Sequence, residues 1–351
     1  MAYISFQPSD YFETTLHTGT NGSGRTFTGL GFQPDFIWGK VRNSGNYNHM
    51  FVDSSRGGDK FLAQTTATED TKSHGEITAW NSDGTTWADG TNATYSRLYY
   101  NDDGTQLGGS SYVWWQWKAN GGTTSSNTDG GRTSTVQVNS TSKFSIGTFT
   151  SDGTVTTVGH GLGVTPDFFM FKTRSVTNGW YVYTTAIDGS LDFLNLGTTD
   201  TKSDSGLAAP TSTVLSVNSS VSGNSGSTCV FYAFKSVKGY SKVGTYTGNG
   251  STNGTFVYTG FKPAFVMTKR TNAIGPWNIK DTKRPGYNDT DDSLFADQTA
   301  AEDVRSFDIL SNGFKLRNSG TEMNGGGSTY LYIAFAEHPL VGSNGVPATA
   351  R

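Results

Sequence analysis

The chain has a single cysteine, Cys229, in 351 residues, so no disulfide can form within it. That fits folding in a reducing compartment. Charged residues make up only 16% of the sequence, the formal net charge is −3, and Lys and Arg are scattered, never more than two together. There is no basic patch for nucleic acid and no polybasic segment for a membrane surface. No apolar run approaches the roughly 20 residues that span a bilayer. The first residues, Met1 to Pro8, carry neither a basic nor an apolar stretch, so no secretory signal is expected. Glutamate is scarce too, at 6 residues, and proline at 9. Amphipathic helices usually recruit Glu, Lys and Arg for their wet faces, so this poverty points away from a helical fold. Coiled-coil heptads are missing as well, which argues against a long fibre shaft.

What is present is glycine, 45 residues, and a large aromatic complement of 22 Phe, 16 Tyr and 8 Trp. Those rings supply enough apolar area to exclude a disordered chain. Two motifs recur in order three times. The first is Gly31-Phe-Gln-Pro34-Asp-Phe-Ile-Trp-Gly-Lys40, repeated as Gly163-Val-Thr-Pro166-Asp-Phe-Phe-Met-Phe-Lys172 and Gly260-Phe-Lys-Pro263-Ala-Phe-Val-Met-Thr-Lys269. In each copy a Phe follows the proline by two residues and a Lys by six. The second motif is Ser111-Tyr-Val-Trp-Trp-Gln-Trp-Lys118, with counterparts Thr228-Cys-Val-Phe-Tyr-Ala-Phe-Lys235 and Thr329-Tyr-Leu-Tyr-Ile-Ala-Phe-Ala336. A third match joins only the first and last copies: Phe61-Leu-Ala-Gln-Thr-Thr-Ala-Thr-Glu-Asp70 and Leu294-Phe-Ala-Asp-Gln-Thr-Ala-Ala-Glu-Asp303.

Both triplicated motifs read as strands. In the closing motif a period of two places Val113, Trp115 and Trp117 on one face, matched by Val230, Tyr232, Phe234 and by Leu331, Ile333, Phe335. This face stays large and apolar and is the expected core. The Pro-led strand is apolar on both faces, as an interior strand is, with its proline tolerated at the strand entrance. Turn pairs recur between the motifs: Asn21-Gly22, Asp83-Gly84, Asp103-Gly104, Asp152-Gly153, Asn253-Gly254 and Asn312-Gly313. The expected fold is therefore all-β: three related antiparallel β-sandwich units, jelly-roll or lectin-like, in tandem. Unit 1 spans 1–119. Residues 120–238 hold a Gly/Ser/Thr-rich linker or surface loop (120–135) followed by unit 2. Unit 3 spans 239–351 and joins unit 2 almost directly. The one helical piece expected is a turn or two at Thr65–Asp70 and its copy Thr299–Asp303.

The opening 1–45, the block Thr157-Val-Gly-His-Gly-Leu-Gly-Val-Thr-Pro166, the stretch Asn127-Thr-Asp-Gly-Gly-Arg-Thr-Ser-Thr-Val136 and the ending Tyr330-Leu-Tyr-Ile-Ala-Phe-Ala-Glu-His-Pro339 carry a resemblance. Along nearly its whole length the chain resembles a family of uncharacterised repeat-containing proteins of tailed phages, many marine or cyanobacterial. The resemblance implies a virion structural component, often labelled a tail-fibre or tail protein, made in the host cytoplasm and located in the virion. It implies other virion proteins as partners, a host-surface glycan as a further one, and a homo-oligomer, a trimer if the protein is a fibre. It transfers no catalytic residue. Unlike many fibres, the chain reaches its first unit with no anchoring domain ahead of it, which keeps a capsid decoration or head-fibre role open. A glycan-degrading tailspike is the third reading.

The residues themselves point away from catalysis. His17, His49, His74, His160 and His338 are never in metal-ligand spacing, and His160 in its Gly-rich segment suits a turn hydrogen bond. Cys229 lies inside an apolar strand and Glu337-His338-Pro339 reads as a strand end. Glycan hydrolysis needs two facing carboxylates, and the repeated Glu69/Glu302 and Asp70/Asp303 suit turn structure better. Asp53-Ser-Ser-Arg56 and Asp281-Thr-Lys-Arg284 read as ion pairs steadying turns. Asn288-Asp-Thr-Asp-Asp292 could gather oxygen ligands for calcium, but it lacks the glycine and terminal glutamate of an EF-hand loop. No cofactor, metal or membrane insertion is expected, and no enzymatic activity. The candidate contact residues are Trp80, Trp87, Tyr95, Tyr99 and Tyr100, aromatics in polar loops of unit 1 without counterparts elsewhere. Exposed, they would stack on sugar rings. The plainer and weightier alternative is that they cover a sheet edge or fill an oligomer interface.

Overall fold

The computed structural model describes residues 7–102, 110–284, 288 and 292–339. Each unit is built on a large antiparallel inner sheet. In unit 1 its spatial order is Phe12–Thr18, Ser111–Trp117, Phe36–Val41, Met50–Asp53, Lys60–Ala63 and Asp70–Thr71. Unit 3 repeats that order with Ser241–Thr247, Thr329–Pro339, Phe261–Arg270, Trp277–Asp281, Asp292–Phe295 and Asp303–Val304. Unit 2 has the same six, Phe144–Thr150, Thr228–Phe234, Phe168–Thr173, Trp180–Thr184, Asp192–Asn195 and Ser203–Asp204. It gains two edge strands, Ser125–Asn127 and Ser134–Asn139. The closing strand thus always lies between the opening and Pro-led strands, in one register. Phe36, Phe168 and Phe265 face Trp117, Phe234 and Phe335, and Trp38, Met170 and Met267 face Trp115, Tyr232 and Ile333.

A small outer sheet covers the other face of each inner sheet. It is Arg25–Phe27, Gly84–Ala88 and Glu76–Asn81 in unit 1, and Phe256–Tyr258, Gly313–Leu316 and Phe307–Leu310 in unit 3. In unit 2 it is only Thr156–Gly159 and Val214–Val217. The side chains between each pair of sheets form three separate cores, one per unit. Both faces of the closing strand are therefore buried. Trp114, Phe231 and Tyr332 point into their own sandwiches. The opposite face (Trp115 and Trp117, Tyr232 and Phe234, Ile333 and Phe335) enters a fourth core that all three units share.

The three sandwiches follow one another along the chain as expected, and the shared core adds how they are arranged. The three inner sheets pack against one another in a closed ring, so one chain forms an internal pseudo-trimer. Equivalent hydrogen bonds close each joint. Trp180 Nε1 donates to the Ala63 carbonyl of unit 1 (2.6 Å), and Trp277 Nε1 to the Asn195 carbonyl of unit 2 (2.9 Å). His49 Nε2 meets the Phe295 carbonyl of unit 3 (2.9 Å). Backbone bonds repeat the cycle: Glu69 N to Arg174 O, Lys202 N to Thr271 O and Glu302 N to Arg42 O. Residue by residue, unit 1 meets unit 2, unit 2 meets unit 3, and unit 3 returns to unit 1. Full burial of each large apolar side chain contributes about 1.5–3 kcal/mol, so a core holding Trp38, Trp115, Trp117, Trp180 and Trp277 dominates the stability of the whole.

Other expectations need correction. No helix forms at 65–70 or 299–303: each is an irregular stretch that leads into a two-residue strand. The stretch 120–135 is no free linker. Its Ser125–Asn127 strand pairs with Ser134–Asn139, and the backbone N–H groups of Ala119, Gly121 and Gly122 donate to the Asp35 carboxylate. Pro34 and Pro166 precede their strands, but Pro263 sits inside one, at a register shift that spares the missing N–H.

Candidate functional site

The repeated polar residues lie at the joints. Arg56 is fully buried and binds Asp53 (Nε to Oδ2, 2.5 Å), Glu69 (2.8 Å) and the hydroxyl of Tyr232 from unit 2 (3.1 Å). Tyr232 in turn donates to Asp53 (2.6 Å), and Arg174 of unit 2 forks onto Glu69. The joint between units 3 and 1 repeats this with Arg284, Asp281 and Glu302, with Trp115 Nε1 in place of the tyrosine hydroxyl (3.0 Å to Asp281) and Arg42 in place of Arg174. Burial would depress the Arg56 guanidinium, but the charges of Asp53 and Glu69 and the hydrogen bond to Asp53 outweigh it and hold it firmly protonated. Burial likewise opposes ionisation of Glu69, yet the two arginines pull its carboxyl below the usual range. The Asp-x-x-Arg pairs are thus buried clamps between units, not exposed turn pairs.

At the third joint the whole set changes together. Thr184 and Ile187 replace the Asp and Arg, Lys202 replaces the Glu, Ile333 the aromatic donor, and Thr271 the partner Arg. Ile187 packs on the shared core, while Lys202 turns to Asp188 and Asp192.

The lysines six residues past each proline are buried as well. Lys40 donates to the carbonyls of Val41 and Ser44, Lys172 to those of Thr65 and Asn178, and Lys269 to that of Gly275. Burial lowers Lys40 to about 7, partly offset by Glu302, and lowers Lys172 and Lys269 to about 8. The histidines are structural in geometry too. His49 accepts from Trp38 Nε1 at Nδ1 (2.8 Å), which leaves Nε2–H to donate to Phe295 and fixes a neutral ring. His160 bonds the Thr211 carbonyl and accepts from Leu162 N, as its turn setting suggested. Burial pushes the Cys229 thiol up to about 12. Among the described residues no cluster of three His, Cys, Asp or Glu could hold a metal. Residues 289–291 of the calcium candidate lie outside the described residues.

The five sequence-selected aromatics do not form a platform. Trp87 and Tyr100 are buried in the unit 1 sandwich, stacked on each other at 5.3 Å. Tyr100 also donates to Asp89 (2.5 Å). Tyr99 packs on Phe61 and His74, and Trp80 rests against the same core. Tyr95 meets Tyr47 edge-on at 6.3 Å. Trp87 and Tyr100 have no free ring face to offer.

An aromatic-floored groove lies in unit 2, where sequence reasoning did not place one. Tyr181, Tyr183 and Phe193 line the floor of a groove of about 780 Å³. Its rim holds Asn195, Asp200, Ser203, Asn218 and Ser220, and Ile274, 70% exposed, leans in from unit 3. The cause is the missing third strand of the outer sheet. At the positions of Tyr181, Tyr183 and Phe193, unit 1 has Met50, Val52 and Phe61, and unit 3 has Asn278, Lys280 and Ser293, all no more than 2% exposed. There the third strand supplies Ile77 or Phe307 as cover. In unit 2 residues 205–213 run irregularly through Pro210 to Val214–Val217, and Tyr181 and Phe193 stay half-buried. The sequence held one signal: turn pairs mark that hairpin at Asp83-Gly84 and Asn312-Gly313, and none stands before Val214.

Fold and site together define a class: all-β proteins in which three fused sandwiches close around one aromatic hub, with an open aromatic groove on the middle unit. The chain belongs to the family of a domain of unknown function, DUF7483, whose family model matches residues 7–339. No curated protein and no solved structure matches it.

Proposed function

We propose that the chain is a structural protein of a tailed-phage particle, a tail-fibre or appendage component that presents its outer faces to a host surface or to another virion protein, with no reaction centre. The observation that carries this reading is the closed three-unit hub. The carboxylates at two of its joints, Asp53, Glu69, Asp281 and Glu302, are each paired with buried arginines rather than facing a cleft. A hub of this kind is a rigid mount for surfaces, and the resemblance described above supplies its setting. Weak contacts made by such mounts become strong through copy number.

The test is fractionation of intact particles after the tails are sheared off. Recovery of the chain with tails supports the reading. Recovery with capsids moves it to a head decoration, and absence from both overturns it. Release of reducing sugar from host polysaccharide would overturn the non-catalytic part.

A further inference from the structure

We propose that the groove of the second unit binds a neutral oligosaccharide. The proposal names the ligand for the surface-binding role and rests on that role only for its setting, because the groove can be tested in the isolated chain. The floor is aromatic and only half covered: Tyr181 and Phe193 lie 5.8 Å apart between ring centroids at 53°. Behind them Tyr183 is stacked on Phe169 at 5.0 Å, which keeps the floor from collapsing. Aromatic faces of this kind take the C–H faces of pyranose rings, while a few placed polar groups fix orientation.

Those polar groups are present and uncommitted on one side. The Asn195 side chain uses Oδ1 to accept from Gly197 N, and Asn218 uses Oδ1 to accept from Val221 N, so each leaves its amide N–H groups to donate. Asp200 accepts from Thr198 through Oδ2, leaving Oδ1 as an acceptor. The Tyr181 hydroxyl is anchored on Asn178 (3.2 Å), which holds the ring in place. Paired amide donors and a carboxylate acceptor above rings suit vicinal hydroxyls. Charge selects further: the lining has one carboxylate and no cation, and neighbouring Lys202 is held by Asp188 and Asp192. An acidic polysaccharide or a phosphate would meet repulsion and no counter-charge. A peptide strand could in principle fill the place of the missing third strand, but the half-polar rim and free amide donors favour hydroxyl recognition.

The experiment uses the full chain with neutral gluco-, galacto-, manno- and N-acetylglucosamine tetrasaccharides, read by saturation-transfer NMR and calorimetry. Tetragalacturonate and an extended Val/Thr-alternating peptide serve as comparators. The expected result is saturable binding of at least one neutral tetrasaccharide, one per chain. Tyr181→Ala or Phe193→Ala should weaken it at least tenfold. Ser220→Trp, at an exposed rim position, should block it with no change in thermal midpoint and so separates occlusion from misfolding. Binding of no neutral tetrasaccharide, binding unaffected by Ser220→Trp, preference for tetragalacturonate, or displacement of sugar by the peptide would each overturn the proposal. None of these outcomes bears on where the chain sits in a particle.

Discussion

At the residue scale, the chain holds its charge where charge is most costly to leave alone. Arg56 is fully buried among Asp53, Glu69 and Tyr232, so removing one partner strands another. Arg56→Ile alone should destabilise by about 3–5 kcal/mol in urea unfolding. Adding Asp53→Thr and Tyr232→Ile copies the third joint of the same molecule, and this triple variant should recover a good part of that loss. If the triple is no better than the single, the clamp does not act as a unit. The histidines set an acid limit. Burial lowers His17 to about 3, and lowers His49 and His160 as well. Below about pH 6.5 the unfolded chain takes up protons that the folded chain refuses, so stability should fall steadily from pH 6.5 towards pH 3. NMR titration of the His17 ring should show it neutral down to pH 4. The depressed lysines act in the same sense at higher pH, with stability rising from about pH 7 towards pH 10 as the unfolded chain loses its extra protons. The Asp-x-x-Arg spacing and the proline-to-lysine spacing were both visible in the sequence. Their burial was not, because spacing along a chain says nothing of what covers a side chain from another unit.

At the element scale, strand identity was legible because the period of two is a local property, and both triplicated motifs became strands in the same register. Glycine placement was harder to read. Gly147 in the opening strand of unit 2 lies opposite Phe231, and a Cβ built there would stand 2.0 Å from the ring. Gly244 faces Tyr332 in unit 3 in the same way, whereas unit 1 sets Thr15 opposite Trp114. The bare backbone is a seat for the closing-strand ring. Gly147→Ala should cost about 1–3 kcal/mol by overpacking, measurable as a lowered unfolding midpoint, and Phe231→Leu should relieve part of it. Full additivity of the two changes would show that they do not share a contact. The Thr65–Asp70 and Thr299–Asp303 stretches misled in the opposite direction. Their Ala and Glu content suggests a helical turn, but Glu69 and Glu302 are drawn outwards to Arg174 and Arg42 of the neighbouring unit. That tertiary pull overrides a weak local propensity.

At the scale of the whole molecule, three units were countable from the sequence, but their closure was not. An apolar second face on the closing strand is equally compatible with an outer layer of the same unit or with a neighbour, and here both exist. The consequence is that no unit is a self-sufficient domain. Residues 239–351 expressed alone would expose Phe265, Met267, Trp277, Ile333 and Phe335 to water. They should fail to remain a folded monomer, giving aggregates or trimers on sedimentation, whereas the full chain should unfold in one cooperative step by calorimetry. A stable monomeric fragment would show that the shared core is dispensable. Fusion into one chain also frees the three outer faces from copying one another. A true homotrimer acquires every surface change three times over. Here one face lacks the covering strand that its two siblings have, so the aromatic groove occurs once per chain, and any multivalent contact through it must come from the number of chains brought together rather than from the symmetry within each.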